Sequence, residues 1–285
     1  MEKINNYRHK ETLAEKHKIV NNTDYIRSLN SQIKYCIKHW QTWYYTSWND
    51  LIISYRRTMI GQSWTVLAKL ITLTIMCFVW STIFKLEIKT FFPYLVNGFV
   101  IFFLINSCLI DGSTILYLRF KQVYLNIPVP ILVLTIRSVA QEIFNYLHFL
   151  PVILIMYFFI FDFNFLNIIL YVAGFIILII NVLLLTMLLA LISTRFRDIS
   201  PLVQALMGAA TLLTPIFWKK DMLGEYQNWI YLNPFTSMVE MVRDPIIGVF
   251  PEIKVYLFNF LLMIFLYITN YLLIKSKGQR IIFWV

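Results

Sequence analysis

Long apolar runs separated by short polar breaks dominate the chain from residue 64 onward. A bilayer core is crossed by about 20 mostly apolar residues in helical conformation. The runs are continuous, without the alternation of apolar and polar residues seen in barrel strands, and this favours helices. Six spans are predicted, over residues 64–84, 93–110, 131–161, 165–192, 202–218 and 255–274.

An amphipathic helix is predicted before the first span. Apolar residues recur there at steps of three and four, which places them on one stripe of a helix lying at the membrane interface. Such a helix either anchors the chain or also receives a cytoplasmic partner, and the pattern is compatible with both. The stripe consists of Ile33, Ile37, Trp40, Tyr44, Trp48, Leu51 and Tyr55.

A second helical pattern lies between spans five and six, over residues 219–252. Asn233-Pro234 is a helix start, because an Asn cap followed by Pro suits the first turn. Apolar residues follow at helical spacing, which predicts a helical hairpin on the outer face. The predicted fold is an all-α integral membrane protein. Residues 1–63 form a cytoplasmic arm and interface helix, and residues 64–285 form a six-span transmembrane domain.

Composition agrees with the pattern of spans. The chain is 59% hydrophobic and 14% charged, whereas ordinary soluble domains are roughly 45–50% apolar and 25% charged. These values exclude a soluble globular enzyme and a disordered chain.

The excess of basic over acidic residues, and where it lies along the chain, indicates the membrane topology. No apolar run occurs in the first 60 or so residues, so no cleavable signal peptide is expected and the N-terminal arm is predicted to be cytoplasmic. Six spans return the C-terminus to the same side. On this topology the formal net charge of +10 lies almost wholly on the inner face, while acidic residues including Glu240 and Asp244 balance the outer loops. A nucleic acid partner is therefore not needed to explain the charge.

Catalytic and nucleotide-binding motifs are missing from the sequence. There is no Walker A motif, no His pair with metal-ligand spacing and no nucleophile elbow, and the three cysteines are far apart. We therefore expect no catalytic residue, cofactor or metal in this chain. ATP and Mg²⁺ would have to be bound by a partner ATPase.

Four charged residues fall within the predicted spans, namely Lys69, Asp111, Arg137 and Glu142. Each costs about 2.5–3.5 kcal/mol at the centre of a span, so such residues are scarce and suggest function. Lys69 and Asp111 lie near a predicted cytoplasmic end, and snorkelling is favoured over a transport role. Arg137 and Glu142 are expected to face different neighbours or the headgroup region. Four charges are too few for the proton relay of an ion-driven transporter.

Four sequence blocks occur in order between the spans. They are YRRTMIGQSW at 55–64, STRFRDI at 193–199, TPIFW at 214–218, and LNPF at 232–235 leading to VRDPIIG at 242–248. As an ordered set they resemble the permease subunit of polysaccharide-export ABC transporters, most closely the O-antigen type. The resemblance covers residues 49–285. Gln62-Ser63 departs from the small or Pro-containing step that is more usual before the Trp.

The resemblance implies a homodimer of six-span subunits with two separate ABC ATPase subunits, embedded among the lipids of the bacterial cytoplasmic (inner) membrane. Its substrate would be an undecaprenyl-pyrophosphate-linked glycan used in lipopolysaccharide biosynthesis. Three alternatives remain: an exporter of capsule or teichoic-acid polymer with the same architecture, a small-molecule drug exporter, and a membrane-embedded glycosyltransferase. The last is disfavoured because no loop contains an acidic metal-binding cluster.

Basic residues at the inner face are candidates for substrate entry and ATPase coupling. Arg56 and Arg57 lie where the interface helix meets the first span, and Arg can donate two hydrogen bonds to a phosphate. They would receive the pyrophosphate or serve as ordinary membrane anchors. Arg119 and Lys121, in the predicted loop over residues 111–128, would couple to the ATPase.

Two further groups complete the candidate set. Arg195, Arg197 and Asp198 either contact the ATPase or form a loop stabilised by internal ion pairs. Aromatic residues near the outer ends of the spans either form an interfacial belt or line a glycan channel and its outer gate. These aromatic residues are Trp80, Trp218, Tyr226 and Trp229.

Overall fold

The computed structural model describes residues 28–127, 129–160 and 164–285, and the regular elements within these ranges are helices. Most of the predicted N-terminal arm and the predicted boundaries at Pro128 and Phe161 lie outside the described residues. A π-helical turn over Ile115–Arg119 and 3₁₀ segments over Lys220–Leu232 and Gly278–Phe283 supplement the α-helices. The α-helices are α1 Leu29–Lys38, α2 Trp40–Ser54, α3 Ser63–Phe84, α4 Ile88–Gly112, α5 Lys121–Asn126, α6 Ile131–Leu147, α7 Leu150–Ile160, α8 Phe165–Arg195, α9 Ile199–Leu213, α10 Pro234–Ile246 and α11 Ile253–Lys277.

Four of these helices, α3, α4, α8 and α11, are long and apolar enough to cross a membrane. The helices α6 and α7 meet the same criterion only as a pair, bent by 41°. The bend has a local cause, because Pro151 has no N–H to donate to the Leu147 carbonyl oxygen one turn earlier. The predicted third span is therefore broken between residues 147 and 150.

The predicted fifth span is shorter than expected. The helix α9 has 15 residues, which span about 22 Å, less than the roughly 30 Å of a bilayer core. It ends because Thr214 has extended backbone angles (φ −83°, ψ 135°) and Pro215 follows. The described structure thus contains four or five full-length spans and one short apolar helix, and the count of six stays a prediction.

The predicted interface helix is divided into two helices, α1 and α2. The prediction of one continuous stripe was therefore wrong. The helix breaks at His39 (φ −111°, ψ 40°), and the buried residues differ from most of the predicted stripe. Leu51 of the predicted stripe is buried at 3% exposure, whereas Ile37 and Trp40 beside the break are 70% and 50% exposed.

The amphipathic helix α10 occupies the centre of the packing. The predicted start is confirmed, because the Asn233 side chain accepts a hydrogen bond from the Phe235 amide at 3.0 Å. The position differs from the prediction, since every residue from Thr236 to Ile246 is buried. The helix packs against α4 and α8 and not on the outer surface. The preceding arm consists of 3₁₀ turns broken at Gly224 (φ 54°).

The close approach of α8 to α10 depends on Gly174. A Cβ atom at this position would lie 2.6 Å from the Met241 carbonyl oxygen. We expect Gly174→Ala to lower the free energy of unfolding by about 1–3 kcal/mol, because the backbones must separate. Gly208→Ala in α9 is the matched control, since no atom lies within 4 Å of its added Cβ and alanine favours a helix by about 0.5–1 kcal/mol. Thermal unfolding in detergent measures the stability of both variants. Equal melting temperatures for Gly174→Ala and Gly208→Ala would contradict the close approach of α8 to α10.

Candidate functional site

A buried arginine organises the first of two polar networks. Arg243 of α10 is 2% exposed. Its Nη1 donates to the Pro215 carbonyl oxygen at 2.7 Å, and its Nε and Nη2 each lie 3.1 Å from Asp244 Oδ1. The guanidinium carbon also lies 4.0 Å from the ring centroid of Tyr94 in α4. Arg243 therefore connects α10, α4 and the turn after α9.

The turn after α9 also forms hydrogen bonds with Tyr94 and Asn233. The Tyr94 hydroxyl lies 2.8 Å from the Pro215 carbonyl oxygen and 3.1 Å from that of Trp218. Asn233 donates from Nδ2 to Thr214 Oγ1 at 2.9 Å. Consequently the blocks at 214–218, 232–235 and 242–248, which are separate in sequence, meet at one place.

Glu240 extends this network toward the 3₁₀ segment over Lys220–Leu232. Its carboxylate is 1% exposed; one oxygen lies 3.5 Å from Lys220 Nζ and the other accepts from the Tyr231 hydroxyl at 3.1 Å. Burial raises the pKa of Glu240, and the nearby Asp244 carboxylate adds to this effect, while Arg243 and Lys220 oppose it. Glu240, Arg243 and Asp244, predicted in an outer loop, are thus buried within the helix packing, and their side of the membrane stays a prediction. Their mutual pairing permits their burial.

The second network lies at the C-terminal end of α4. The Arg119 guanidinium pairs with Asp111 and Gln141, and donates to Ser138 at 2.8 Å. Asp111, predicted to snorkel, pairs with Arg119 and keeps a partly exposed side chain, and its depth in the membrane stays a prediction. Arg119, predicted as a contact for the ATPase, points toward α4 and α6.

An adjacent ion pair fixes the interface helix. Asp50 of α2 accepts two hydrogen bonds from Arg137 of α6, both at 2.7 Å. The Phe120 ring lies 4.6 Å from the Arg137 guanidinium carbon and 5.1 Å from that of Arg119. Arg137 and Glu142 thus face different neighbours, as predicted.

We expect Asp50→Asn to loosen α2 from α6. The neutral amide replaces a bidentate, charge-assisted pair that is about 20% exposed, so the expected loss of stability is about 1–3 kcal/mol. Faster hydrogen–deuterium exchange over residues 40–54 and a lower melting temperature measure it. Asp198→Asn is the control, because Asp198 is exposed and forms no ion pair within the described residues. Equal exchange rates in both variants would refute the role of the pair.

Lys69 also has a partner inside the fold, and the prediction that it snorkels was wrong. Its Nζ lies 3.3 Å from the centroid of the Phe103 ring. Beside it, Gln62 donates to Asn145 at 2.7 Å, and Asn145 donates to Glu142 at 3.2 Å. These bonds attach the start of α3 to α6.

The segment between α2 and α3 presents the candidate entry residues. Arg56 and Arg57 are both exposed. Arg57 has a positive φ of 74°, and Gly61 follows with φ 64°. A positive φ at a residue other than glycine is uncommon and occurs often at functional turns. The geometry directs both guanidiniums away from the helix packing.

Three basic candidates remain, namely Arg195, Arg197 and Lys121. Arg195 and Arg197 are exposed and lie over aromatic rings, 5.3 Å from Trp284 and 5.7 Å from Tyr117. Within the described residues neither forms an ion pair with Asp198, so an ion-paired loop is not observed. Lys121 begins α5 and is partly exposed.

A hydrogen bond places these candidates together. The Ser113 hydroxyl, after α4, donates to the hydroxyl of Ser200, in the first turn of α9, at 3.0 Å. The segment around Arg119 and the block at 193–199 are therefore neighbours.

The aromatic candidates separate into two groups. Trp80 stacks on Phe217 with ring centroids 6.3 Å apart, next to the half-buried Trp218. Tyr226 and Trp229 are 67% and 68% exposed on the 3₁₀ segment over Lys220–Leu232. The structure brings the first pair into one cluster and leaves the second pair on the surface.

Sequence reasoning missed Tyr94 and the burial of Glu240 and Arg243. A signal was present, because opposite charges three residues apart within an apolar helical stretch are a pattern for a paired, buried site. Tyr94, within a uniformly apolar span, had no such signal.

The apolar helices around these polar networks define a multi-pass membrane protein. The chain belongs to the ABC-2 type transporter family, whose family model matches residues 41–247. It is a membrane permease component and not itself an enzyme. Over 200 residues it is 24% identical to the O-antigen export system permease protein RfbA of Klebsiella pneumoniae, covering 68% of this chain and 76% of the relative.

Proposed function

We propose that this chain is the permease subunit of an ABC exporter for an undecaprenyl-pyrophosphate-linked polysaccharide of the O-antigen type. Separate ABC ATPase subunits bind ATP and Mg²⁺ and drive export across the bacterial cytoplasmic membrane. The observation that carries the proposal is the ABC-2 family match over residues 41–247. The similarity to an O-antigen export permease supports the substrate class.

The working unit in this proposal is a homodimer of six-span subunits with both termini in the cytoplasm. A polymer needs a continuous channel, which one small subunit does not enclose. The helix α3 supports this arrangement, because one of its faces is apolar and unpacked within the subunit. Leu67, Ile71, Ile75 and Phe78 on that helix are 45–67% exposed.

In this proposal, exposed charged residues bind the substrate and the ATPase. Arg56 and Arg57 receive the pyrophosphate at the inner face. Arg195, Arg197 and Lys121 contact the ATPase, with Asp198 beside them. Arg119 acts through Asp111 and Gln141, and transmits movement of this loop to α4 and α6.

The outer aromatics are assigned to glycan passage. Exposed Tyr226 and Trp229 stack on sugar rings at the exit, and Trp80 and Trp218 border the turn below it. The Lys220–Glu240 contact ties the exit segment to α10. This cluster therefore forms the outer gate in the proposal.

Deletion of the gene in its host tests the function. We expect loss of surface polysaccharide together with accumulation of undecaprenyl-linked glycan on the cytoplasmic side, both restored by the intact gene. Identification of the accumulated glycan separates O-antigen from capsule or teichoic acid. Normal surface glycan without accumulation would refute polysaccharide export and favour a small-molecule exporter.

A further inference from the structure

A groove runs between the interface helices and the transmembrane helices, away from both polar networks. Its volume is about 410 Å³, and its walls come from α1, α2, α6, α8 and α11. The lining is almost wholly apolar, with Ile33, Leu132, Leu183 and Ile264 as representative residues and Trp43 at one side. Its shape and lining suit a hydrocarbon chain.

The groove is open to the surroundings of the helices. Ile37 on α1 is 70% exposed, and Ile180 and Ile264 on the spans α8 and α11 are 38% and 40% exposed. Lipid hydrocarbon therefore has direct access to the groove from the side, and filling it with hydrocarbon removes apolar surface from contact with water near the membrane interface.

Positive charge borders the groove on α1. Lys34 and Lys38 are exposed, one turn apart, and each directly follows a groove-lining isoleucine. Neither α1 nor α11 contains an acidic residue. The charge beside this groove is therefore complementary to an anionic headgroup.

We propose that the groove binds one acyl chain of an anionic phospholipid, whose phosphate is held by Lys34 and Lys38. The lipid fills the space between α1 and the spans α8 and α11. It thereby fastens the interface helix, which is otherwise held by contacts such as the 2.5 Å hydrogen bond from the Tyr267 hydroxyl to Asn30. This inference does not depend on the identity of the exported substrate.

Trp43 provides a probe inside the groove. Its indole donates to the Cys36 carbonyl oxygen at 3.1 Å, which fixes the ring at the groove wall. The full chain is reconstituted in phosphatidylcholine vesicles. These vesicles also contain a small fraction of one brominated lipid, either phosphatidylglycerol or phosphatidylcholine, with bromine on its acyl chain. The signal of Trp43 is the fluorescence difference between the unmodified chain and Trp43→Phe. We expect brominated phosphatidylglycerol to quench this signal at about tenfold lower mole fraction than brominated phosphatidylcholine.

Two variants separate headgroup recognition from chain binding. Lys34→Gln with Lys38→Gln is expected to remove the preference for phosphatidylglycerol. Ile264→Phe narrows the groove and is expected to reduce quenching by both lipids. Lys85→Gln with Lys89→Gln is the matched control, because these lysines are exposed near the outer turn between α3 and α4, and it should leave the preference intact.

Three results would overturn the proposal. Equal quenching by the two brominated lipids would indicate contact with bulk lipid only. If Lys85→Gln with Lys89→Gln lost the preference for phosphatidylglycerol to the same extent, Lys34 and Lys38 would not be the residues that recognise the headgroup. In a competition experiment, undecaprenyl phosphate is tested for its ability to prevent the quenching of Trp43 by brominated lipid. If it did so at a lower mole fraction than unbrominated phosphatidylglycerol, the groove would be assigned to a polyprenyl chain.

Discussion

Replacing Arg243 with methionine is expected to destabilise the protein by about 3–5 kcal/mol, the largest stability effect we expect in this chain. The side chain is 2% exposed and pairs with Asp244. Removing it leaves two carboxylates, those of Glu240 and Asp244, buried without this partner, and removes one of the two hydrogen bonds to the Pro215 carbonyl oxygen. Thermal unfolding of the detergent-solubilised protein measures the effect.

Two further variants define the cause. Arg197→Met removes an exposed arginine and should change stability by no more than about 0.5 kcal/mol. Adding Glu240→Gln and Asp244→Asn to Arg243→Met should restore part of the loss, because no unpaired charge then remains buried. A melting temperature for Arg243→Met equal to that of Arg197→Met would contradict the network.

Charge reversal of Arg56 and Arg57 to glutamate is expected to abolish polysaccharide export while the protein still reaches the membrane in normal amounts. Both side chains are exposed and form no ion pair within the described residues, so their loss should not unfold the protein. Two carboxylates at this position would repel a pyrophosphate that two guanidiniums would bind. Surface glycan and cytoplasmic lipid-linked glycan are measured in cells lacking the native gene.

Matched variants make the result specific. Lys85→Glu with Lys89→Glu reverses two exposed charges between α3 and α4 and should leave export intact. Arg56→Lys with Arg57→Lys retains charge without bidentate geometry and should reduce export partly. Unchanged export in the glutamate variant would remove both arginines from the entry site.

Much of the helical framework could be predicted because its causes are local. The run at 64–84 became a helix over Ser63–Phe84, and the Asn233-Pro234 cap began a helix at Pro234. Capping, proline geometry and continuous apolar runs act over a few residues, so one sequence contains the necessary information. The exposed arginines at 56 and 57 were located for the same reason, although their role stays a prediction.

The partners of the charged residues could not be predicted in this way. Lys69 and Asp111 were expected to reach the interface, but Lys69 lies over Phe103 and Asp111 pairs with Arg119. Arg243 was expected in an outer loop and is buried against Tyr94. Each partner lies on a different helix or several turns away. Periodicity reports which face of a helix is apolar, but it does not report which neighbour covers that face.

The amino-acid sequence alone establishes the class of protein, because its long apolar runs and ordered motif blocks agree with the ABC-2 type transporter family. Only the tertiary structure decided that α10 lies in the core and that the interface helix breaks at His39. It also decided that Asp111 pairs with Arg119 and Asp50 with Arg137 across different elements. The physical reason is that hydrophobicity and capping act along the chain, whereas burial of a charge depends on a partner brought close only by folding.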